Sequence, residues 1–428
     1  MINIEKISVL RGDISVGGDK SISHRAVMIS SIAKGNSLLR NVLDGEDCHV
    51  TIDVFRDMGI SVDAQSDGNL IVKGKGLRGL KQPEKSLYLG NSGTSMRLLI
   101  GILSGQGFKS VLTGDPSLSK RPMNRVTQPL MLMGSDIEGA DNANFAPITI
   151  SGRALKPLSY KSPIASAQVK SSIMLAGLYA DGKTTIAEPY KSRDHTERML
   201  SLFGADVSEE GLSVSVEGLG HKELKPQQID IPADISSAAF FITLAAIAKD
   251  AEIKIKRCGI NPTRTGIINV LRDMGADISM AHKTEDSEPI ADIIVKSSSL
   301  KAVRILKEQI PSLIDEIPMI ALCATQADGV TFINGIGELR VKETDRVNSI
   351  VTNLKAFGAD IVVEGDTFVI KGPKKLQGAS VDSFYDHRTA MMSIIAGCIA
   401  EDKTKVSNTD CIATSFPDFM NILKTLAK

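Results

Sequence analysis

Leu354-Lys355-Ala356-Phe357-Gly358-Ala359-Asp360-Ile361 is the stretch on which the fold turns. An amphipathic helical pattern stops at a glycine able to take the left-handed conformation, and alternating residues follow at once. Ala359–Val363, a turn at Glu364-Gly365-Asp366 and Thr367–Ile370 read as a β-hairpin. The same order of signals occurs at Phe55-Arg56-Asp57-Met58-Gly59-Ile60 and at Leu130-Met131-Leu132-Met133-Gly134-Ser135. It returns at Leu202-Phe203-Gly204-Ala205-Asp206-Val207 and at Leu271-Arg272-Asp273-Met274-Gly275-Ala276-Asp277-Ile278. The terminating glycines, Gly59, Gly134, Gly204, Gly275 and Gly358, lie 75, 70, 71 and 83 residues apart. A sixth helical pattern, Phe419-Met420-Asn421-Ile422-Leu423-Lys424, falls near one further period. A common local idiom does not recur at such even spacing. Six α/β units of this length predict two domains of three units, with helices packed inside and sheets outside, or the reverse.

The midpoint falls at Pro226-Gln227-Gln228-Ile229-Asp230-Ile231-Pro232, a polar, proline-bounded segment expected to link the domains. It leads into Ala233-Asp234-Ile235-Ser236-Ser237, a helix start capped by an acid. The second crossing is expected near Gly17–Lys20. The first strand, read as Ile2–Leu10, then belongs to the C-terminal half. One domain is expected to span 20–232, and a discontinuous one 1–19 with 233–428.

With 428 residues, 42% of them hydrophobic, two large cores are possible. The net charge is zero and tryptophan is absent, so neither a basic field nor stacking platforms point to nucleic acid. The start, Met-Ile-Asn-Ile-Glu-Lys, carries no basic-plus-apolar leader. The most apolar runs, Ala238–Ala248 and Met391–Ala400, are too short to span a membrane. Cys48, Cys258, Cys323, Cys398 and Cys411 are scattered without a CxxC pair, as expected of reduced thiols in a cytoplasmic protein. Cys48-His49 has no second pair to complete a zinc site, so no metal and no cofactor is expected.

The chemistry begins at Leu89-Gly90-Asn91-Ser92-Gly93-Thr94-Ser95-Met96-Arg97, followed by the apolar run Leu98–Leu103. Glycines allow close backbone approach, and a helix N-terminus carries partial positive charge, so this turn suits an anion. Taken singly, such a turn is more often ordinary capping. Six other stretches place cations beside small polar residues. They are Gly17–Arg25, Lys120-Arg121-Pro122, Ala165–Lys170, Arg193-Asp194-His195, Arg340–Arg346 and Asp386-His387-Arg388. Each alone reads as a solvated face or a salt bridge. As a set they describe a pocket for a small substrate rich in phosphate and carboxylate, which Arg forks match bidentately.

These motifs, with Thr414-Ser415-Phe416-Pro417, resemble the 5-enolpyruvylshikimate-3-phosphate synthase family of enolpyruvyl transferases over essentially the whole chain. The resemblance implies an α/β fold of two domains, each of three βαβαββ units, with the active site in the cleft between them. It implies a monomeric cytoplasmic enzyme of aromatic amino acid biosynthesis, with two small-molecule substrates and no nucleic-acid or membrane partner. Carried over by position, the shikimate 3-phosphate site is Lys20, Ser21, Arg25, Ser166, Gln168, Arg193, Asp315 and Lys342. Ser21 and Arg25 would hold the carboxylate, Ser166 and Lys342 the phosphate. The phosphoenolpyruvate site is Lys20, Gly93, Arg121, Gln168, Glu343, Arg346 and Arg388. Lys20, Asp315 and Glu343 are the catalytic candidates. Apart from the resemblance, Glu343 reads as a helix charge paired with Lys342 or Arg346.

The chain departs from the family pattern at three positions. Thr414 stands where many members have lysine, Ala167 where many have a second serine, and Leu98 where many have proline. Arg193-Asp194-His195-Thr196-Glu197 resembles the branch that includes glyphosate-tolerant enzymes, whereas Gly93 is typical of sensitive ones. Two other readings stand beside this one. The first is the sister enzyme that transfers enolpyruvate to a UDP-aminosugar, which usually uses a loop cysteine near the Lys120-Arg121 region. No cysteine lies between Cys48 and Cys258. The second is a non-catalytic repeat protein that binds phosphometabolites.

Overall fold

The computed structural model describes residues 1–285 and 287–427. The chain divides into two compact units, Lys20–Ile231 and Met1–Asp19 with Pro232–Lys428.

The continuous unit holds three four-stranded sheets. In one, Leu87–Tyr88 runs parallel to Lys109–Thr113 across the helix Gly93–Ser104. The helix Asn124–Leu132 then leads into the hairpin Asp136–Gly139 and Phe145–Ser151, and Phe145–Ser151 pairs back onto Lys109–Thr113. This is one βαβαββ unit. Ser159–Lys161, Lys183–Ala187, Val207–Glu210 and Ser213–Glu217 repeat it, with the helices Ala167–Gly177 and His195–Leu202. The remaining sheet pairs Lys34–Arg40, Ser61–Ala64 and Leu70–Lys75 with Gln228–Asp230. The segment Pro226–Pro232 is therefore not a free linker, as its composition suggested. Gln228–Asp230 runs parallel to Leu38–Arg40, and Ile229 is buried. The prolines bracket the strand, where no ladder N–H is needed.

In the other unit, Leu10–Ile14 runs parallel to Ala251–Gly259 at the edge of a sheet completed by Asp277–Glu285 and Pro289–Lys296. A second sheet holds Arg304–Ile305, Gly329–Asn334, Asp360–Glu364 and Thr367–Gly372. The third pairs Ser380–Asp382 and Ile2–Ile4 on either side of Thr404–Ser407. The stretch read as one strand, Ile2–Leu10, is thus two strands in two sheets. Lys6 pairs with Glu401 at 2.6 Å and Glu5 with Lys403 at 2.9 Å, which ties the chain to the first sheet before it crosses to the next.

Each unit buries three helices almost all round. They are Lys20–Ile32, Gly93–Ser104 and Ala167–Gly177 in one, and Ile235–Ile247, Ile317–Gln326 and His387–Ile399 in the other. Helices buried on nearly every side make up a core. The helices that end at glycine bury one stripe only, and the strands alternate buried and exposed residues. Helices therefore lie inside and sheets outside. The runs Ala238–Ala248 and Met391–Ala400 fall in or at the ends of these buried helices, and among the described residues no helix is long and apolar enough to cross a membrane. The five terminating glycines all have left-handed φ, from +84° at Gly59 to +94° at Gly134.

Candidate active site

In the continuous unit, three helix starts gather the cationic motifs. Lys20 opens the first buried helix and its ammonium pairs with Asp47. One turn on, the buried Arg25 donates Nε to Thr196 Oγ1 at 2.7 Å, Nη2 to Ser171 Oγ at 2.8 Å and Nη1 to the Ser21 carbonyl at 3.0 Å. Arg25 thus ties three helices to one edge.

Ser92 caps the helix that Gly93 opens, its Oγ accepting from the Ser95 N–H at 3.2 Å. A buried run of hydroxyls, Ser92, Ser95 and Thr51, continues to His24 Nδ1 and locks this helix to the one carrying Lys20. Arg121, on the loop after Lys120, donates to the Asn91 carbonyl at 3.2 Å and also to its side-chain oxygen. Arg97 donates to Gln168 Oε1 at 2.6 Å, and Gln168 Nε2 donates to Thr94 Oγ1 at 2.9 Å. A Cβ at Gly93 would lie 3.2 Å from Arg97 Nη1 and 3.3 Å from Arg121 Nη1. Two guanidinium groups therefore flank a helix N-terminus that has no side chain of its own. Charge and helix dipole together suit that position to an anion. Ser166 caps the third helix, Ala167–Gly177.

The other unit gathers the acids. Arg346 opens the helix Arg346–Ala356 and is 1% exposed. Its Nε donates to Asp386 Oδ2 at 2.7 Å and its Nη2 to Glu343 Oε2 at 2.6 Å, while Nη1 lies 3.5 Å from Asp315 Oδ1. Burial opposes this charge, but Asp386, Glu343 and Asp315 outweigh it and hold the Arg346 pKa above its ordinary value. Arg388 follows Asp386, the buried cap of the helix His387–Ile399. It donates to the Asp315 carbonyl at 3.2 Å and lies 3.6 Å from the Asp315 carboxylate. One carboxylate, Asp315, is thus shared by two guanidinium groups. Thr414 donates to the Cys411 carbonyl at 2.7 Å and brings no charge.

The sequence matches the family described as EPSP synthase (3-phosphoshikimate 1-carboxyvinyltransferase) over residues 4–423. The chain belongs to the EPSP synthase family. It is 51% identical over 424 residues to the 3-phosphoshikimate 1-carboxyvinyltransferase of Geobacillus kaustophilus, covering 98% of both chains. To that of Bacillus subtilis it is 49% identical over 426 residues, covering 99% of each. A solved EPSP synthase from Acinetobacter baumannii superposes with a TM-score of 0.88 at 44% identity, over 99% of this chain and 97% of that one. These matches displace both other readings, the UDP-aminosugar enzyme and the non-catalytic binding protein.

Within the EPSP synthase framework, the structure brings Lys20, Ser21 and Arg25 onto one helix, and Gly93, Arg121 and Gln168 into one network. It joins Asp315, Glu343, Arg346 and Arg388 in another. Arg193 lies half-buried just before the helix His195–Leu202, and Lys342 just after the 3₁₀ turn Ile336–Val341. Glu343 does pair with Arg346, as its bare sequence context suggested. Arg97 stands in the Leu89–Arg97 stretch without a role assigned from sequence. The available signal was its position four residues after Gly93, which aims a long side chain back over the helix start. Asp47 and Asp386 went unassigned because a helix-start acid reads as a cap.

Proposed function

We propose that these residues carry out the family's reaction in this chain. The chain is a transferase of the shikimate pathway, moving the enolpyruvyl group of phosphoenolpyruvate to the 5-hydroxyl of shikimate 3-phosphate. In our reading, Ser21 and Arg25 take the shikimate carboxylate, Ser166 and Lys342 its phosphate, and Arg193 and Gln168 complete that site. Phosphoenolpyruvate is held by Lys20, the Gly93 helix start, Arg121, Gln168, Glu343, Arg346 and Arg388. The five unbridged cysteines support a reducing, cytoplasmic setting, and the reading extends to a monomer.

The 5-hydroxyl adds to C2 of phosphoenolpyruvate while C3 gains a proton. The adduct then loses phosphate as C3 returns a proton. Asp315 takes the hydroxyl proton, and Glu343 and Lys20 serve the carbon and the leaving phosphate. The observation that carries this reading is Asp315 lying between Arg346 and Arg388. Asp386 and Glu343 fix Arg346, and the Asp315 carbonyl holds Arg388, so a base stands beside cations already arranged for an incoming anion.

Lys20→Ala and Arg25→Ala test the assignment because they should fail differently. Loss of Lys20 should lower turnover strongly. Loss of Arg25 should mainly raise the KM for shikimate 3-phosphate, by about 2–4 kcal/mol of lost charge-assisted binding. Wild-type turnover for Lys20→Ala in steady-state kinetics would remove it from the reaction.

A further inference from the structure

Lys170, Glu188 and Glu197 form a buried ion cluster that no step above uses. Lys170 Nζ lies 2.8 Å from Glu188 Oε2 and 2.7 Å from Glu197 Oε1, with all three side chains 3–4% exposed. Burial opposes the Lys170 charge, but Glu197 and Glu188 outweigh it and hold its pKa above the ordinary value. Such a cluster is a poor way to stabilise a core, since well-packed apolar residues of the same volume do as well or better. Its geometry gives it another use.

The Glu188 carboxylate is where the cluster meets the substrate-facing loops. Its Oε1 accepts the Ser166 N–H at 3.0 Å. Its Oε2 accepts the Ser192 Oγ at 2.8 Å and the Ser192 N–H at 3.4 Å, just before Arg193. Lys170 adds a bond to the Ser192 carbonyl at 3.4 Å. The cap bond from the Val169 N–H to Ser166 Oγ is also 3.4 Å, so Glu188 makes the shorter hold on Ser166. Glu188 is itself anchored at the end of the strand Lys183–Ala187, its N–H donating to the Leu212 carbonyl at 3.0 Å. A carboxylate this near a phosphate site would repel the ligand unless neutralised, and Lys170 supplies the counter-charge.

We propose that Glu188 is a positioning residue for shikimate 3-phosphate: one carboxylate, neutralised by Lys170, sets the spacing between the Ser166 loop and the Arg193 loop. This rests on the reading that Ser166 and Arg193 belong to the shikimate 3-phosphate site. Glu188→Gln keeps an acceptor oxygen of the same reach, whereas Glu188→Ala releases both loops and leaves Lys170 with one partner fewer.

The test is calorimetric titration of the full chain with shikimate 3-phosphate for wild type, Glu188→Ala, Glu188→Gln, Arg193→Ala and the double variant Glu188→Ala/Arg193→Ala. Kd should rise roughly tenfold to a hundredfold in Glu188→Ala, as expected when a buried hydrogen-bonding centre is removed, and by less in Glu188→Gln. The double variant should bind more weakly than Arg193→Ala alone but by less than the sum of the two single losses, because part of what Glu188 does runs through the Arg193 loop and part through Ser166. Strictly additive losses, or a Glu188→Ala protein with a lowered melting temperature but wild-type Kd, would overturn the proposal while leaving the site reading intact. Should Glu188→Ala not fold, the proposal falls if Glu188→Gln/Arg193→Ala loses affinity additively. An unchanged Kd in Arg193→Ala would instead refute the site reading, and the positioning role with it.

Discussion

Gly90 and Gly93 look alike in the sequence, and the structure separates them. Gly90 has φ +53°, which an L side chain rarely adopts, so this glycine serves the turn. Gly93 lies outside the left-handed region, and a Cβ there would press on the Arg97 and Arg121 guanidinium groups, the ends of two flexible side chains. Sequence could flag the pair as an anion-binding turn. It could not divide their roles, because φ is fixed by the residues that close the turn. Gly93→Ala should therefore leave the melting temperature near wild type and crowd the anion by about 1–3 kcal/mol. Glyphosate, longer than phosphoenolpyruvate, should lose more affinity than the substrate does. The glyphosate inhibition constant, the phosphoenolpyruvate KM and the melting temperature, measured on that one variant, check this. Equal losses for both ligands with a lowered melting temperature would make Gly93 a backbone residue instead.

Among the elements, the helix that stops at glycine was fully legible. The hairpin read as Ala359–Val363 and Thr367–Ile370 is Asp360–Glu364 paired with Thr367–Gly372. Gln228–Asp230 was not legible, because a three-residue strand with one apolar side chain carries no period and its partner Leu38–Arg40 is remote in sequence. The buried cluster was hidden for a similar reason: Lys170 on the helix Ala167–Gly177, Glu197 on the helix His195–Leu202 and Glu188 just after the strand Lys183–Ala187 meet only through tertiary packing. That cluster has a pH signature. Glu188 accepts three bonds from Ser166 and Ser192, whereas Glu197 Oε2 has no hydrogen-bond partner among the described residues. Burial pushes the Glu197 carboxyl above its ordinary 4.5, despite Lys170 beside it, with Asp194 adding to the rise. A raised acid contributes stability below that ordinary value and loses it as pH climbs through the folded one. Glu197→Gln stays neutral, so its melting temperature relative to wild type should increase as pH rises from about 4.5. Calorimetry across pH that gives a constant difference would contradict this.

For the molecule as a whole, the repeat in the sequence predicted the number of units, and the chain's return paths decide which segments complete them. Lys20–Ile231 contains every strand of its three sheets, including Gln228–Asp230. Expressed alone, it should melt cooperatively, and truncation before Gln228 should lower that transition. The stretch 232–428 lacks both Ile2–Ile4 and Leu10–Ile14, which edge two of its sheets, so by itself it should not fold. Circular dichroism of the three fragments checks both statements. The functional claim rests on one carboxylate between two guanidinium groups. Asp315→Asn keeps the shape and removes the base. In an assay of phosphate released from phosphoenolpyruvate in the presence of shikimate 3-phosphate, the variant should turn over roughly a hundredfold to ten-thousandfold more slowly than wild type, the range expected for a lost general base. Wild-type turnover by Asp315→Asn would contradict the mechanism.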